Sequence, residues 1–190
     1  MTKIFNDINS YKITSKIIKK NNKKKIKLLI DYCDTNNISV EVKNIAVAIL
    51  LIEQHFRPVQ KRLLEYSLLT GNIVANLLFK IKLHNYTIGK SQVGITYILR
   101  YYGFDRDIHS KYLYSLSLRE TISILFQFNS YDEVAILLKR VSTYYTHLNS
   151  NNSDNILRKI GEMYNGKYSY GLLLESVYSC LEGWVCLNTN

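Results

Sequence analysis

Apolar residues recur at helical spacing along almost the whole chain. Lys25 to Asp34 forms a short amphipathic pattern. From Val40 to Phe56 the apolar positions close up, and Ile45 to Ile52 is an unbroken apolar run. A helix that is apolar on all sides through its middle is a buried one, so this segment is predicted to be the central helix. Pro58, the only proline, ends that helix or opens the next at its first position. Two further helices are expected, Gln60 to Leu69 and Ile73 to Leu83, parted by Thr70-Gly71-Asn72. His84 to Gly89 has no helical period and reads as a loop or short hairpin; helix resumes from Ser91 to Tyr102.

Capping signals place the later elements. Ser117 with Glu120 opens a helix to about Phe128, and Ser130 with Glu133 opens another to about His147. Asn149 to Ser153 is a polar loop, with Ser153 capping a helix over Asp154 to Tyr164. After Asn165-Gly166 a last helix runs from about Tyr168 to Leu181. The pattern predicts a mainly α fold with at most a short hairpin, residues 1–39 being a basic helical extension and 40–190 the main domain.

The 190 residues suit one domain, and 47% hydrophobic with 21% charged residues excludes a disordered chain. The longest apolar run is far below the ~20 residues that span a bilayer, so no transmembrane segment is expected. The N-terminus shows neither an apolar core nor a small-residue cleavage site, so a secretory signal is not expected. Cys33, Cys180 and Cys186 are odd in number and lack metal-site spacing. Free buried thiols are expected, with a Cys180–Cys186 bridge left open; no metal and no cofactor are implied. Lys+Arg 25 against Asp+Glu 15 gives a net charge of +10, which suits nucleic acid, an anionic membrane face or an acidic wall polymer. The cluster Lys19 to Lys25 reads as a solvated turn between helices, with polyanion contact as the sharper alternative.

Glu53 is out of place. It directly follows the eight apolar residues, in the last turn of the predicted central helix. Low dielectric and the partial negative charge of a helix C-terminus both favour a protonated carboxyl, the form a general acid needs. The plainer reading has Glu53 facing water or pairing with Arg57 four residues on. Downstream, Thr87-Ile88-Gly89-Lys90-Ser91-Gln92 combines a glycine, where a ligand can approach the backbone, with an amide suited to sugar hydroxyls and N-acetyl groups. A helix-capping loop would have the same composition. Tyr164-Asn165-Gly166 could be a helix ending in a left-handed cap, or could bring a phenol to a catalytic carboxyl.

These three motifs, in this order, resemble the lysozyme-like superfamily, lytic transglycosylases in particular. The resemblance covers about Asn44 to Tyr102 and Ile160 to Tyr178. It implies a lysozyme-like domain over 40–190, with Glu53 as catalytic acid/base. Thr87, Gly89, Ser91, Gln92, Tyr164 and Asn165 would contact the glycan, and Tyr164 would also orient the acid. It departs from the family in placing Gln54 where a serine commonly follows the glutamate, and in the long interval from Glu53 to Gly89.

Glycosidases generally use two carboxylates. Glu65 is the next acid after Glu53, and none follows before Asp105. Glu65 is therefore the candidate second carboxylate, its plainer role being an ion pair with Lys61 or Arg62. With one acid the resemblance implies cleavage of the MurNAc–GlcNAc β-1,4 bond to a 1,6-anhydro product; with two it implies a muramidase. The implied partners are peptidoglycan strands, and a delivery machinery or an immunity protein if the enzyme is an antibacterial effector. It would act in the periplasm or cell wall, after lysis or specialised secretion. Nucleic acid is not an expected partner, although a basic helical nucleic-acid-binding module, or an interaction protein without chemistry, would also account for the charge.

Overall fold

The computed structural model describes residues 23–56, 59–88, 91–108, 110–151 and 153–188, without the side chains of 23, 59–64 and 182–188. In chain order the elements are α1 (Lys23–Thr35), α2 (Val40–Phe56), α3 (Val59–Phe79), β1 (Leu83–His84), β2 (Thr87–Ile88), β3 (Val93–Gly94), α4 (Ile95–Tyr101) and β4 (Tyr112–Leu113). Then come α5 (Leu118–Ile122), which runs on into a π-helical turn (Ser123–Gln127), α6 (Ser130–Ser150), α7 (Ile156–Asn165) and α8 (Tyr168–Asn188). The fold is mainly helical, as the periodicity predicts. No described helix is long and apolar enough to cross a membrane.

The described residues divide into two compact units. A helical unit takes 23–56 and 137–188, and a hairpin unit takes 59–136. Of the extension expected over residues 1–39, the described part includes α1, whose Leu29 and Cys33 are fully buried and which packs on α2 within the helical unit. The division falls instead after Phe56 and between Ile136 and Leu137.

In the helical unit α2 has the predicted limits. Ser39 stands before it, its hydroxyl accepting from the Val42 amide, and Ile45 to Glu53 are all buried. Around α2 pack α1 and α8, and α8 lies along α7. Two glycines set that last contact: a Cβ on Gly161 would stand 2.6 Å from the Gly171 Cα, so neither backbone leaves room for a side chain. Lys25 is not part of a solvated turn. It lies in the first turn of α1 and is 5% exposed, while Lys19 to Asn22 lie outside the described residues. The helix α7 begins at Ile156 behind a left-handed Asn155, so Ser153 is not its cap. The last helix continues to Asn188. Cys33 and Cys180 are free thiols, burial chiefly pushing the Cys33 thiol up to about 11. Cys180 and Cys186 both lie on α8, where six residues of helix separate them by about 9 Å, beyond the roughly 7 Å limit for a disulfide.

In the hairpin unit the two helices expected on either side of Gly71 are one, α3. Gly71 lies on its exposed side, while Leu69, Ile73 and Asn76 face the core. Burial of that face outweighs the weak helix propensity of one glycine. Fully buried Asn76 fastens α3: its amide nitrogen donates to the Ile81 carbonyl at 2.5 Å, and its oxygen accepts from the Leu116 amide at 2.8 Å. The chain then forms two short antiparallel pairs, β1 with β4 and β2 with β3. Helix resumes at Ile95 and not at Ser91, because Ser91 to Gly94 turn and return as the second hairpin strand.

Candidate functional site

Glu53 occupies the last turn of α2 and is 5% exposed. The hydroxyl of Tyr170 donates to Glu53 Oε1 at 2.9 Å. Local geometry explains how a residue so distant in sequence arrives there. Gly166 ends α7 with φ +75°, a left-handed cap, so that reading of Tyr-Asn-Gly holds. The reversal starts α8 two residues later, and the Gly161–Gly171 approach seats its first turn on α7. Tyr170 lies in that first turn. Burial first, then the Glu53 carboxylate and Tyr164, hold the Tyr170 phenol well above its ordinary value, so it stays a proton donor in the hydrogen bond.

Tyr164 stacks on Tyr170, with ring centroids 6.0 Å apart. Arg140 of α6 lies over the Tyr164 ring, its guanidinium carbon 4.3 Å from the centroid. It donates to the Tyr164 carbonyl at 3.0 Å and to the Tyr144 hydroxyl at 2.9 Å. Arg140, Tyr164, Tyr170 and Glu53 thus form a chain of contacts within the helical unit. Asn165 is exposed at the end of α7. Beside the acid, Gln54 has a buried side-chain nitrogen with no hydrogen-bond partner among the described residues.

The other expected site residues lie in the hairpin unit. Thr87 is exposed, and its hydroxyl donates to the side-chain oxygen of Gln92 at 2.6 Å. Gln92 is 7% exposed and holds a left-handed φ of +53°. Ser91 is fully buried, and its backbone amide donates to Glu133 Oε1. Gly89 lies outside the described residues, as do Arg57 and Pro58. Glu65 is half-buried on α3.

The sequence does not single out two of the participants. Tyr170 stands in the same segment as Tyr164, six residues on, and only the folded path of α7 into α8 shows which phenol bonds the carboxyl. Glu133 reads as the reciprocal cap of Ser130. The cap is instead one residue earlier: Asn129 Oδ1 accepts from the Tyr131 and Asp132 amides, and Asp132 accepts from the Asn129 amide. With that cap in place, Glu133 receives the Ser91 amide. Among the described residues no group of three His, Cys, Asp or Glu is placed to hold a metal ion. No protein-family model, curated protein or solved structure matches the chain.

Proposed function

We propose that the protein is a peptidoglycan-cleaving glycosidase of the lysozyme-like kind, with Glu53 as its acid/base and a 1,6-anhydro muramyl product. The observation that carries this reading is the buried carboxyl of Glu53 at the end of a buried helix, held by the Tyr170 hydroxyl. The phenol donates into a lone pair of Oε1 and, being neutral, brings no positive charge that would hold the carboxyl ionised. Burial and the carbonyl end of α2 favour the protonated form.

In the proposed reaction Glu53 gives its proton to the glycosidic oxygen as the C1–O bond of the muramyl residue breaks. The substrate's acetamide oxygen meets the positive charge at C1. Glu53, now anionic, takes the proton of the muramyl C6 hydroxyl, whose oxygen bonds C1 and displaces the acetamide. The proton balance closes on one carboxyl. No second acid is called for, in keeping with the lack of any Asp or Glu between Glu65 and Asp105. The buried nitrogen of Gln54 supplies a donor next to the acid, where the family commonly has a serine. The net charge of +10 draws the enzyme to an anionic wall.

The test is digestion of purified peptidoglycan by the full chain, with mass spectrometry of the released muropeptides. Fragments ending in 1,6-anhydro-muramic acid are the expected product. Reducing muramic ends would assign the hydrolytic reaction, with Glu65 then the first residue to substitute as the second carboxylate. An intact wall would refute the enzymatic reading.

A further inference from the structure

In the hairpin unit the end of α3 carries an apolar surface that the proposed reaction does not use. Leu78 and Phe79 close the helix at 63% and 71% exposure, and Ile81 follows at 54%. Between Phe79 and Ile81, Lys80 takes a left-handed φ of +56° as the chain leaves the helix. The segment is anchored. Buried Asn76 bonds the Ile81 and Leu113 carbonyls and the Leu116 amide, and the Lys80 amide donates to the Asn76 carbonyl at 3.0 Å. Large apolar side chains held outwards by an anchored turn mark a surface that meets a partner.

The charges around it identify the partner. Beyond Ile81 the chain enters β1, where Leu83 pairs with Leu113 of β4 and both are buried. Lys82 and Tyr112 therefore fall on the opposite face. There Lys82 Nζ lies 3.5 Å from the centroid of the Tyr112 ring and 5.7 Å from that of Tyr114, and Lys111 Nζ lies 5.5 Å from Tyr112. Lys80, Lys82 and Lys111 are exposed, and the sequence has no Asp or Glu between Glu65 and Asp105. Exposed apolar side chains beside lysines and tyrosines suit the interface of a bilayer with anionic headgroups. A second copy of the same patch would bring like charges together. So would residues 1–22, which carry five lysines and one aspartate. Nucleic acid is a poorer match, because Leu78 and Ile81 offer no stacking face and Lys82 already covers the Tyr112 ring. We propose that the surface from Leu78 to Lys82, with Lys111, docks on an anionic lipid membrane without spanning it. Phe79 and Ile81 enter the headgroup–acyl boundary, and the three lysines meet lipid phosphates.

Flotation of the full chain with large unilamellar vesicles tests this. Phosphatidylcholine vesicles containing about 30% phosphatidylglycerol are expected to bind the chain, and pure phosphatidylcholine vesicles are not, because the lysines require surface charge. Lys80→Gln/Lys82→Gln/Lys111→Gln is expected to weaken binding about a hundredfold, at about fivefold for each lysine. Lys24→Gln/Lys27→Gln/Lys159→Gln removes the same charge from the helical unit and is expected to retain binding. Phe79→Ala/Ile81→Ala is expected to weaken it at least about tenfold, with helix content unchanged by circular dichroism. Equal loss in the two lysine triples would reduce the effect to net charge, and wild-type binding by Phe79→Ala/Ile81→Ala would leave no apolar insertion; either result overturns the proposal. A single-stranded oligonucleotide that binds more tightly than the vesicles and is lost only with Lys80, Lys82 and Lys111 would give the surface to nucleic acid instead. A sedimenting dimer that Phe79→Ala/Ile81→Ala dissociates would give it to a second copy. The proposal does not rest on the glycosidase reading, and Glu53→Gln is expected to bind the vesicles normally.

Discussion

Glu53 in the helical unit and Glu120 in the hairpin unit are the same residue type, buried to nearly the same depth at 5% and 4% exposure. They sit at opposite ends of their helices. Glu120 sits in the first turn of α5, where a helix favours negative charge. Arg106 grips it with two bonds, Nε to Oε1 at 2.6 Å and Nη2 to Oε2 at 2.9 Å. The Ser117 amide and hydroxyl add two more in a complete capping box. Burial alone would push this carboxyl up, but Arg106 and Ser117 together outweigh it and hold it below its ordinary range. Glu53 sits at the opposite end of its helix, and it accepts from a neutral phenol. Depth alone therefore does not fix the protonation state of a buried glutamate. The helix end and the charge of each neighbouring donor act on it as well.

The comparison can be broken most severely at Arg106. Removing it in Arg106→Leu leaves Glu120 buried without its counter-charge, and an expected loss of about 3 kcal/mol should show in urea unfolding. A loss below about 1 kcal/mol would mean that Ser117 suffices. Tyr170→Phe should cost less, about 1–2 kcal/mol, because a neutral donor is lost. The same variant should slow wall cleavage about tenfold, the equivalent of about 1.4 kcal/mol in the barrier. Unchanged cleavage would remove Tyr170 from the mechanism. Acid titration sharpens the contrast further. Glu120 is depressed in the folded chain, so its stabilisation is complete above the ordinary glutamate value of about 4.3 and fades as the pH falls through the lower folded value. Glu120→Gln should flatten stability in that window. The smallest effect is expected at Gly71, on the exposed side of α3, where an added Cβ would meet no atom within 4 Å. Gly71→Ala should stabilise by about 0.5–1 kcal/mol, and destabilisation would show that the glycine has a packing role.

What the sequence made legible follows the same physics. The limits of α2 could be read because its run from Ile45 to Ile52 has no competing pattern. The Ser117–Glu120 box could be read because no better cap adjoins it. At α6 two caps compete one residue apart, and Asn129 with Asp132 prevails over Ser130 with Glu133. Gly71 was misleading because a breaker is judged locally, whereas Asn76, Leu69 and Ile73 fix α3 through contacts distant in sequence. Position alone left Glu53 either buried or facing water, and the structure buries it; the identity of its phenol was not legible at all. That depended on two glycines, Gly161 and Gly171, whose role is visible only when two helix backbones meet.

The most direct test sets the two glutamates against each other on purified peptidoglycan. Glu53→Gln should remain folded and lose wall cleavage, whereas Glu120→Gln should lose stability and, below its unfolding temperature, cleave at the wild-type rate per folded molecule. Wild-type cleavage by Glu53→Gln would contradict the account.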